Sequence, residues 1–281
     1  MDSELKERIE YESYKKSINE KWNCTTELLV RYKKFCKLVV DDSVLPPPWN
    51  DFKNITPPND WVYSHIVGCD LHGEETGLMF LNWIKEKYPH LQNHFDKFRE
   101  NDKIGNPPIY TYDGEENFSP NTLRYIRVFG EIQEHFGSLD NKNIIEIGPG
   151  YGGLCKIISC VDKFNSYSFV DCPEAIGVCK RYMNEMEIKN TMFYADDVPP
   201  NKEYDLVIAD SSLSEMSAFG FDYYLENILM KSKNAYLAMN DYYRKEETIE
   251  KINKAFPKVS VLPDKPSMNE DNECYILICK R

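Results

Sequence analysis

The sequence predicts an α/β protein whose C-terminal part forms a parallel sheet and whose N-terminal part is mostly helical. Two observations support this fold class. From Asn143 onward, short apolar runs alternate with helical patterns, which is typical of parallel strands joined by crossover helices. The first run is followed by the glycine-rich stretch Gly148–Gly153, where we expect a tight strand-to-helix turn. We place a helical N-terminal region at 1–115 and the sheet domain at 116–281.

Composition and charge exclude several classes of protein. Hydrophobic residues make up 42% and charged residues 28% of the 281 residues, as in a globular chain. The net charge of −12 argues against a nucleic-acid partner, because proteins that bind nucleic acids usually carry a stripe of basic residues. The nine cysteines include no C-x-x-C pair, which indicates reduced thiols and a cytoplasmic location. No run of about 18 apolar residues occurs, so no membrane span is expected. Association with further copies of the chain is left open.

The N-terminal region is predicted to be helical on both sides of a connector. Residues 1–40 carry a helical pattern, and the proline-rich stretch 41–60 breaks it. Glu74–Glu100 is a long helical pattern that Pro89 is expected to divide into two helices. Ser119-Pro120 marks a further helix start, with a hydroxyl N-cap followed by proline at the first helical position.

The sheet domain contains five predicted parallel strands and a closing pair. The five strands are Asn143–Ile147, Tyr167–Val170, Thr191–Tyr194, Tyr204–Ala209 and Ala235–Met239. Two further segments, Lys258–Leu262 and Glu273–Lys280, are expected to close the sheet as an antiparallel pair. In open parallel sheets the ligand lies beyond the carboxyl ends of the strands. The polar residues that follow these strands are therefore the candidate site.

The glycine turn by itself matches two kinds of ligand site. Gly148, Gly150 and Gly153 satisfy G-x-G-x-x-G, a dinucleotide-binding pattern when it lies between a strand and a helix. Gly148, Gly150 and Gly152 also satisfy G-x-G-x-G, the first motif of class I S-adenosylmethionine (SAM) methyltransferases. Glu146 favours the second interpretation, because a carboxylate at the strand end suits the ammonium of a methionine moiety and would repel a pyrophosphate.

Acidic residues at the next two strand ends agree with a SAM site. Asp171 follows the glycine turn at the spacing suited to an acid that accepts from both ribose hydroxyls. Asp196 ends the third strand, where adenine's exocyclic amine could donate to it. A lone strand-end aspartate is usually a turn or helix cap, but three acids in order around one glycine turn favour a ligand. Their neighbours are assigned to the same site; these are Tyr151, Cys172 and Asp197.

Residues from about Trp61 to Tyr243 resemble the bacterial-type sugar O-methyltransferase family. The matching stretches are Asn101–Pro107, Ser119–Tyr125, Glu146–Gly153 and Ser214–Met216. The resemblance implies a Rossmann-like class I methyltransferase that transfers the methyl group of SAM to a sugar hydroxyl and releases S-adenosylhomocysteine (SAH). The acceptor would be a nucleotide sugar or a glycan, with the helical N-terminal region covering the substrate side. The chain departs from the family at two places: Pro149 replaces a frequent second glycine, and the dipeptide Ala209-Asp210 replaces a frequent Ser-Asn.

A sugar hydroxyl is a poor nucleophile until it loses its proton, so a base or a metal is expected on the substrate side. Glu215, just past the fourth strand, is the first candidate general base, and Asp210 at the strand end is the second catalytic candidate. For Glu215 the alternative is a carboxylate that satisfies a helix N-terminus. Arg124 and Tyr125 near a helix start are candidates for contact with an anionic substrate, the alternative being a solvated helix face.

Other interpretations remain open at this point. Asp210, Asn240 and Asp241 could meet as oxygen ligands of Mg²⁺, which would lower the pKa of a bound hydroxyl, although this is not the favoured arrangement. Without a metal, Asn240 and Asp241 are assigned to the substrate. His65 or His72 could also serve as the base. The stretch Asp171–Glu174 is similar to an Asp-Leu-Pro stretch of plant-type small-molecule O-methyltransferases, and a non-catalytic SAM-binding scaffold is a further alternative.

Overall fold

The computed structural model describes residues 73–105, 107–114, 116–195, 202–216, 218–240, 244–266 and 274–281. Several predictions lie outside these residues. They are the predictions for 1–72, including His65 and His72, and those for Asp196, Asp197 and Asp241. The backbone of Glu215 is described, but its side chain is not.

The described chain is built around a seven-stranded sheet. In chain order the strands are β1 Tyr110–Tyr112, β2 Glu116–Phe118, β3 Asn143–Ile147, β4 Ser166–Asp171, β5 Thr191–Ala195, β6 Leu206–Asp210, β7 Asn234–Met239, β8 Lys258–Pro263 and β9 Tyr275–Lys280. The sheet has the order β5-β4-β3-β6-β7-β9-β8, and β1 and β2 form a separate antiparallel pair. Strands β3 to β7 pair in parallel, whereas β9 is antiparallel to both β7 and β8. The predicted α/β fold, a Rossmann-like parallel sheet with a closing antiparallel pair, is confirmed.

Helices cover both faces of the sheet. They are α1 Glu74–Lys87, α2 Phe95–Phe98, α3 Pro120–Phe136, α4 Gly153–Ser159, α5 Pro173–Glu185, α6 Ala218–Asn227 and α7 Lys245–Ala255, with short 3-10 helices at Pro89–His94, Arg99–Lys103, Leu213–Glu215 and Leu229–Lys231. Pro89 does divide the long N-terminal pattern, because α1 ends at Lys87 and the chain continues as a 3-10 helix. None of the described helices is long and apolar enough to cross a membrane.

Helix α3 begins and ends as its sequence predicts. The Ser119 hydroxyl caps it by accepting from the Thr122 backbone N–H at 3.1 Å, and Pro120 occupies the first helical position. Gly137 follows the last turn with φ +73°, a value that favours glycine. Twelve of its seventeen residues are buried, so α3 is the central helix of its face of the sheet.

Strand alternation divides the apolar side chains between two cores. Ile144 of β3 belongs to the core that α1, α3, α4 and α5 share with the sheet, whereas Ile145 and Ile147 belong to the core under α6 and α7. Because α1 joins the first core, the described part of the N-terminal region packs directly on the sheet domain. The division at residues 115 and 116 stays a prediction, since 1–72 are not described.

The contact between α1 and α3 leads to a stability prediction. A Cβ on Gly130 of α3 would lie 2.3 Å from Cδ2 and 2.5 Å from Cγ of Tyr88, atoms too close to the backbone to swing away. Tyr88 is 5% exposed and donates to Glu134 Oε2 at 3.0 Å. We expect Gly130→Ala to lower the free energy of unfolding by about 1–3 kcal/mol through overpacking, measured by urea unfolding.

The matched control is Gly73→Ala, because nothing lies within 4 Å of a Cβ at Gly73 and its φ is −76°. This control should change stability little. Equal effects of the two substitutions would contradict the packing argument.

Candidate functional site

The glycine turn joins β3 to α4 at the carboxyl edge of the sheet. Gly148, Gly150 and Gly152 have φ of +69°, +57° and +93°, which side chains rarely adopt. Two of these positions also have no room for a side chain. A Cβ on Gly148 would lie 2.4 Å from the Ser212 Cβ, and one on Gly152 would lie 2.6 Å from the Met183 Cε. The predicted tight turn is confirmed. Its backbone is bare because a side chain at these positions would be strained and would collide with its neighbours.

Glu146 lies one residue before the end of β3 and is 3% exposed. Its Oε2 accepts a hydrogen bond from the Tyr167 hydroxyl of β4 at 2.8 Å. Burial raises the pKa of Glu146 to about 8, and the nearby charges of Asp210 and Asp171 also raise it. Among the described residues no lysine or arginine forms an ion pair with Glu146. The site thus contains a buried carboxyl group whose ionised form has no paired cation in the described part of the chain.

Asp171 ends the strand next to Glu146 and is 6% exposed. Its Oδ1 accepts from the backbone N–H of Cys172 at 2.7 Å. The glycine turn is linked to the same strand, since the Gly148 N–H donates to the Val170 carbonyl at 2.9 Å. Strand pairing therefore brings Glu146, Asp171 and the turn to one edge, as the sequence predicts.

The two tyrosines of the predicted site pack against each other. The rings of Tyr125 and Tyr151 are in an edge-to-face contact with centroids 6.0 Å apart, and Tyr182 of α5 meets Tyr151 at 4.9 Å. Both Tyr125 and Tyr151 are 9% exposed. They support the glycine turn from the side of α3.

The structure joins two residues to which the sequence analysis gave separate roles. Arg124, the candidate for an anionic substrate, donates from Nη2 to Oδ1 of Asp210, the second catalytic candidate, at 2.5 Å. The two side chains are 20% and 7% exposed. Because Arg124 occupies an oxygen of Asp210, the two form a neutral, partly buried pair at the end of β6.

The guanidinium of Arg244, about 30 residues further along the chain, binds the backbone of the loop after β6. Arg244 donates from Nη2 to the Ser214 carbonyl at 2.7 Å and from Nη1 to the Met216 carbonyl at 3.3 Å. These contacts fix the 3-10 turn that contains Glu215. Asn240, at the end of β7, is exposed.

The magnesium alternative gains nothing from the described residues. No group of three or more histidines, cysteines, aspartates or glutamates in the described part of the chain is arranged to hold a metal ion. Of the three proposed ligands, Asp241 is not described, and Asp210 already contacts the guanidinium of Arg124. A second cation at Asp210 would meet this positive charge.

Several residues of the site were missed in the sequence. Tyr167 binds Glu146, and the Ser212 hydroxyl donates to the Ile147 carbonyl next to the turn. Asn101, which precedes Tyr151 by 50 residues in the chain, donates a hydrogen bond to the Tyr151 hydroxyl. Tyr167 could have been suspected, since it lies on the predicted strand that follows the strand of Glu146 in the chain. Predicting the hydrogen bond between the two side chains, however, requires the register of the two strands.

Comparisons with known proteins add relatives of low similarity. No family model matches the chain. The protein-L-isoaspartate O-methyltransferase of Pyrococcus abyssi is 26% identical over 143 residues, which cover 48% of this chain and 62% of that protein. The chain thus spans about three fifths of the length of this curated relative.

Three solved structures are similar to the chain. The methyltransferase domain of bacterial CtHen1 has a TM-score of 0.47 at 14% identity and covers 57% of this chain and 99% of its own. A candidate RNA methyltransferase from Pyrococcus horikoshii has a TM-score of 0.43 at 14% identity (57% and 84% covered). The N-methyltransferase NodS from Bradyrhizobium japonicum, bound to SAH, has a TM-score of 0.42 at 15% identity (56% and 85% covered).

These comparisons correct one expectation from the net charge. The argument from −12 excluded a nucleic-acid partner. The similar proteins include one named for RNA and one named for a protein residue. The exclusion of nucleic acid is therefore wrong, and a carbohydrate acceptor does not follow from the comparisons.

The raised pKa of Glu146 predicts a specific dependence of stability on pH. Its pKa rises from an ordinary value of 4.5 to about 8 on folding, so the folded state binds more protons between these values. Stability should then fall as pH rises through this window. We expect Glu146→Gln, which keeps a partner for the Tyr167 hydroxyl, to be more stable than the wild type at about pH 9 by roughly 2–5 kcal/mol.

Urea unfolding at about pH 5 and pH 9 measures this difference, and the two proteins should be nearly equal at the lower pH. Glu131, whose pKa is raised to about 7, contributes its own slope to both proteins and cancels in the comparison. Parallel stability curves for the two proteins would show that Glu146 is not held neutral by burial.

Proposed function

We propose that the chain is a SAM-dependent methyltransferase. The observation that carries this proposal is Glu146, a buried carboxyl that has no ion-paired cation among the described residues and lies two residues before Gly148 of the bare glycine turn. SAM brings an ammonium and a sulfonium, and either charge would stabilise the ionised carboxylate. A dinucleotide would instead bring a pyrophosphate to an edge that also contains Asp171 and Asp210. The sheet order and the methyltransferase names of the similar proteins further support the proposal.

The residues present fit this cofactor. Glu146 would hold the methionine ammonium, Asp171 the ribose hydroxyls, and the glycine turn would allow close approach of the ligand to the backbone. When bound, SAM supplies an electrophilic methyl group. The protein must then hold the acceptor atom in line with that group and exclude water, which is catalysis mainly by positioning.

The finer proposal is that the acceptor is a sugar hydroxyl. Its support is the sequence resemblance, above all the segments Asn101–Pro107 and Ser119–Tyr125, which lie outside the glycine motif. Glu215 is the proposed general base, since Asp210 is engaged by Arg124. The Arg124–Asp210 pair would border the acceptor and orient its polar groups.

Cofactor choice gives a direct test. SAH should raise the melting temperature of the wild-type protein, and NAD should not. Glu146→Gln should weaken SAH binding by about tenfold or more in calorimetric titration, because one charged hydrogen bond is lost.

The control for this titration is Glu131→Gln. Glu131 is also a buried carboxyl with a raised pKa, but it contacts Arg127 and Tyr236 rather than the glycine turn. Its substitution should leave SAH affinity near the wild-type value. Stabilisation by NAD without any effect of SAH would refute the SAM assignment.

The acceptor and the base are tested by SAH release. We expect release with nucleotide sugars, and a loss of at least about 100-fold in turnover for Glu215→Gln with SAH affinity unchanged. Glu226→Gln, at an exposed glutamate of α6, is the control. Parallel assays contain RNA and an isoaspartyl peptide, and release with one of these alone would move the acceptor to that class. Full activity in EDTA would remove the magnesium alternative.

A further inference from the structure

A buried amide connects the segment before β1 to the glycine turn. Asn101 is 3% exposed. Its Nδ2 donates to Oγ1 of Thr122 at 2.7 Å and to the hydroxyl of Tyr151 at 3.0 Å, and its Oδ1 accepts from the Tyr182 hydroxyl at 2.5 Å. One side chain from the 3-10 helix Arg99–Lys103 thus joins α3, the glycine turn and α5. None of these contacts follows from the G-x-G-x-G motif.

The neighbouring carboxylate fixes the direction of these hydrogen bonds. Asp102 accepts from the Ser119 backbone N–H at 2.9 Å, from the Ser119 hydroxyl at 2.6 Å and from the Thr122 hydroxyl at 2.6 Å. A hydroxyl has a single proton, so the Thr122 oxygen can only accept from Asn101. The NH₂ end of the Asn101 amide must therefore face Thr122 and Tyr151, and its oxygen must face Tyr182.

Tyr151 transmits this orientation to the backbone of the turn. It lies between two positive-φ residues, Gly150 and Gly152. Its hydroxyl also accepts from Asn121 Nδ2 at 3.3 Å, and a Cβ on Gly153 would lie 2.5 Å from the same oxygen. Because the phenol is enclosed on these sides, holding its hydroxyl restricts the φ and ψ of the turn.

We propose that Asn101 is a positioning residue for the cofactor site, acting through Tyr151 to hold the glycine turn in its binding conformation before the cofactor arrives. This inference rests on the proposed SAM-dependent function. It gives the segment Asn101–Pro107, which the glycine motif does not explain, a role in cofactor binding. Preorganisation of this kind lowers the conformational cost of binding, so its loss weakens affinity without removing any direct contact to the ligand.

The alternative is that Asn101 only satisfies buried polar groups. In that case its loss would lower global stability, and any buried hydrogen bond of similar strength would serve as well. The two roles differ in two measurements: cofactor affinity relative to stability, and the local opening of the turn in the cofactor-free protein.

The test uses Asn101→Ala, Tyr151→Phe and the double variant in the full chain. Tyr151→Phe keeps the ring and removes only the hydroxyl, so it tests the same contact even if Asn101→Ala does not fold. The control is Tyr88→Phe, which removes the hydroxyl of a buried tyrosine that donates to Glu134 in the last turns of α3 rather than to the glycine turn. SAH affinity is measured by titration calorimetry, and hydrogen exchange is measured at the amides of Gly150–Gly153 without cofactor.

Each single variant is expected to bind SAH about tenfold more weakly than the wild type. The double variant should have about the same affinity as each single variant, because both substitutions remove the same contact. Exchange at the turn should be faster in all three, and Tyr88→Phe should change neither quantity. Wild-type affinity, unchanged exchange at the turn, or additive losses would overturn the role of Asn101. Absence of SAH binding by the wild-type chain would instead refute the methyltransferase proposal, so the two failures are distinguishable.

Discussion

Burial of one carboxyl group, that of Glu146, is the constraint on which the carboxyl edge of the sheet depends. Its position in β3 directs it to the same face as Ile144, into a core lined by apolar side chains. The Tyr167 hydroxyl offsets part of the desolvation, but the raised pKa shows that burial dominates. An apolar residue at this position would make the free protein more stable. Under the proposed function, a cationic ligand would stabilise the ionised carboxylate, so stability of the free protein and ligand binding place opposite demands on this position.

Helix α3 supplies positive charge near this edge, and its arginines pair with acids other than Glu146. Arg124 pairs with Asp210, and one helical turn later Arg127 contacts Glu131 at 3.1 Å and Asp264 at 2.6 Å. Tyr236 of β7 completes this cluster by donating to Glu131 at 2.5 Å. Asp210, Glu131 and Asp264 are thereby paired with arginines of α3. Among the described residues, no such partner is present for the carboxyl group next to the glycine turn.

Local features of the fold were predictable, whereas contacts between distant segments were not. The cap at Ser119, the break at Pro89 and the glycine turn each depend on a few consecutive residues, and all three are present. The Arg124–Asp210 pair joins residues 86 positions apart, and the Asn101–Tyr151 contact joins residues 50 positions apart. Their formation requires the sheet order and the packing of α3. Pattern reasoning gave Arg124, Asp210 and Tyr151 a role each without the partner that limits it, and it gave Asn101 no role.

The wrong exclusion of nucleic acid has a physical cause in the use of a net charge. A net charge of −12 describes the whole chain, whereas a partner senses charges within a Debye length of about 8–10 Å. The three acidic residues of the candidate site, Glu146, Asp171 and Asp210, lie at the carboxyl ends of the parallel strands. At the opposite edge, next to the start of β6 and β7, a surface cleft is lined by four basic residues, Lys202, Lys231, Lys233 and Arg281, and by the acidic Glu203. Lys233 is also paired with Asp205 at 2.8 Å, so the basic residues outnumber the acids by two. This edge presents local positive charge on an acidic protein. Net charge therefore predicts solubility and long-range repulsion better than it predicts which partner a given surface can accept.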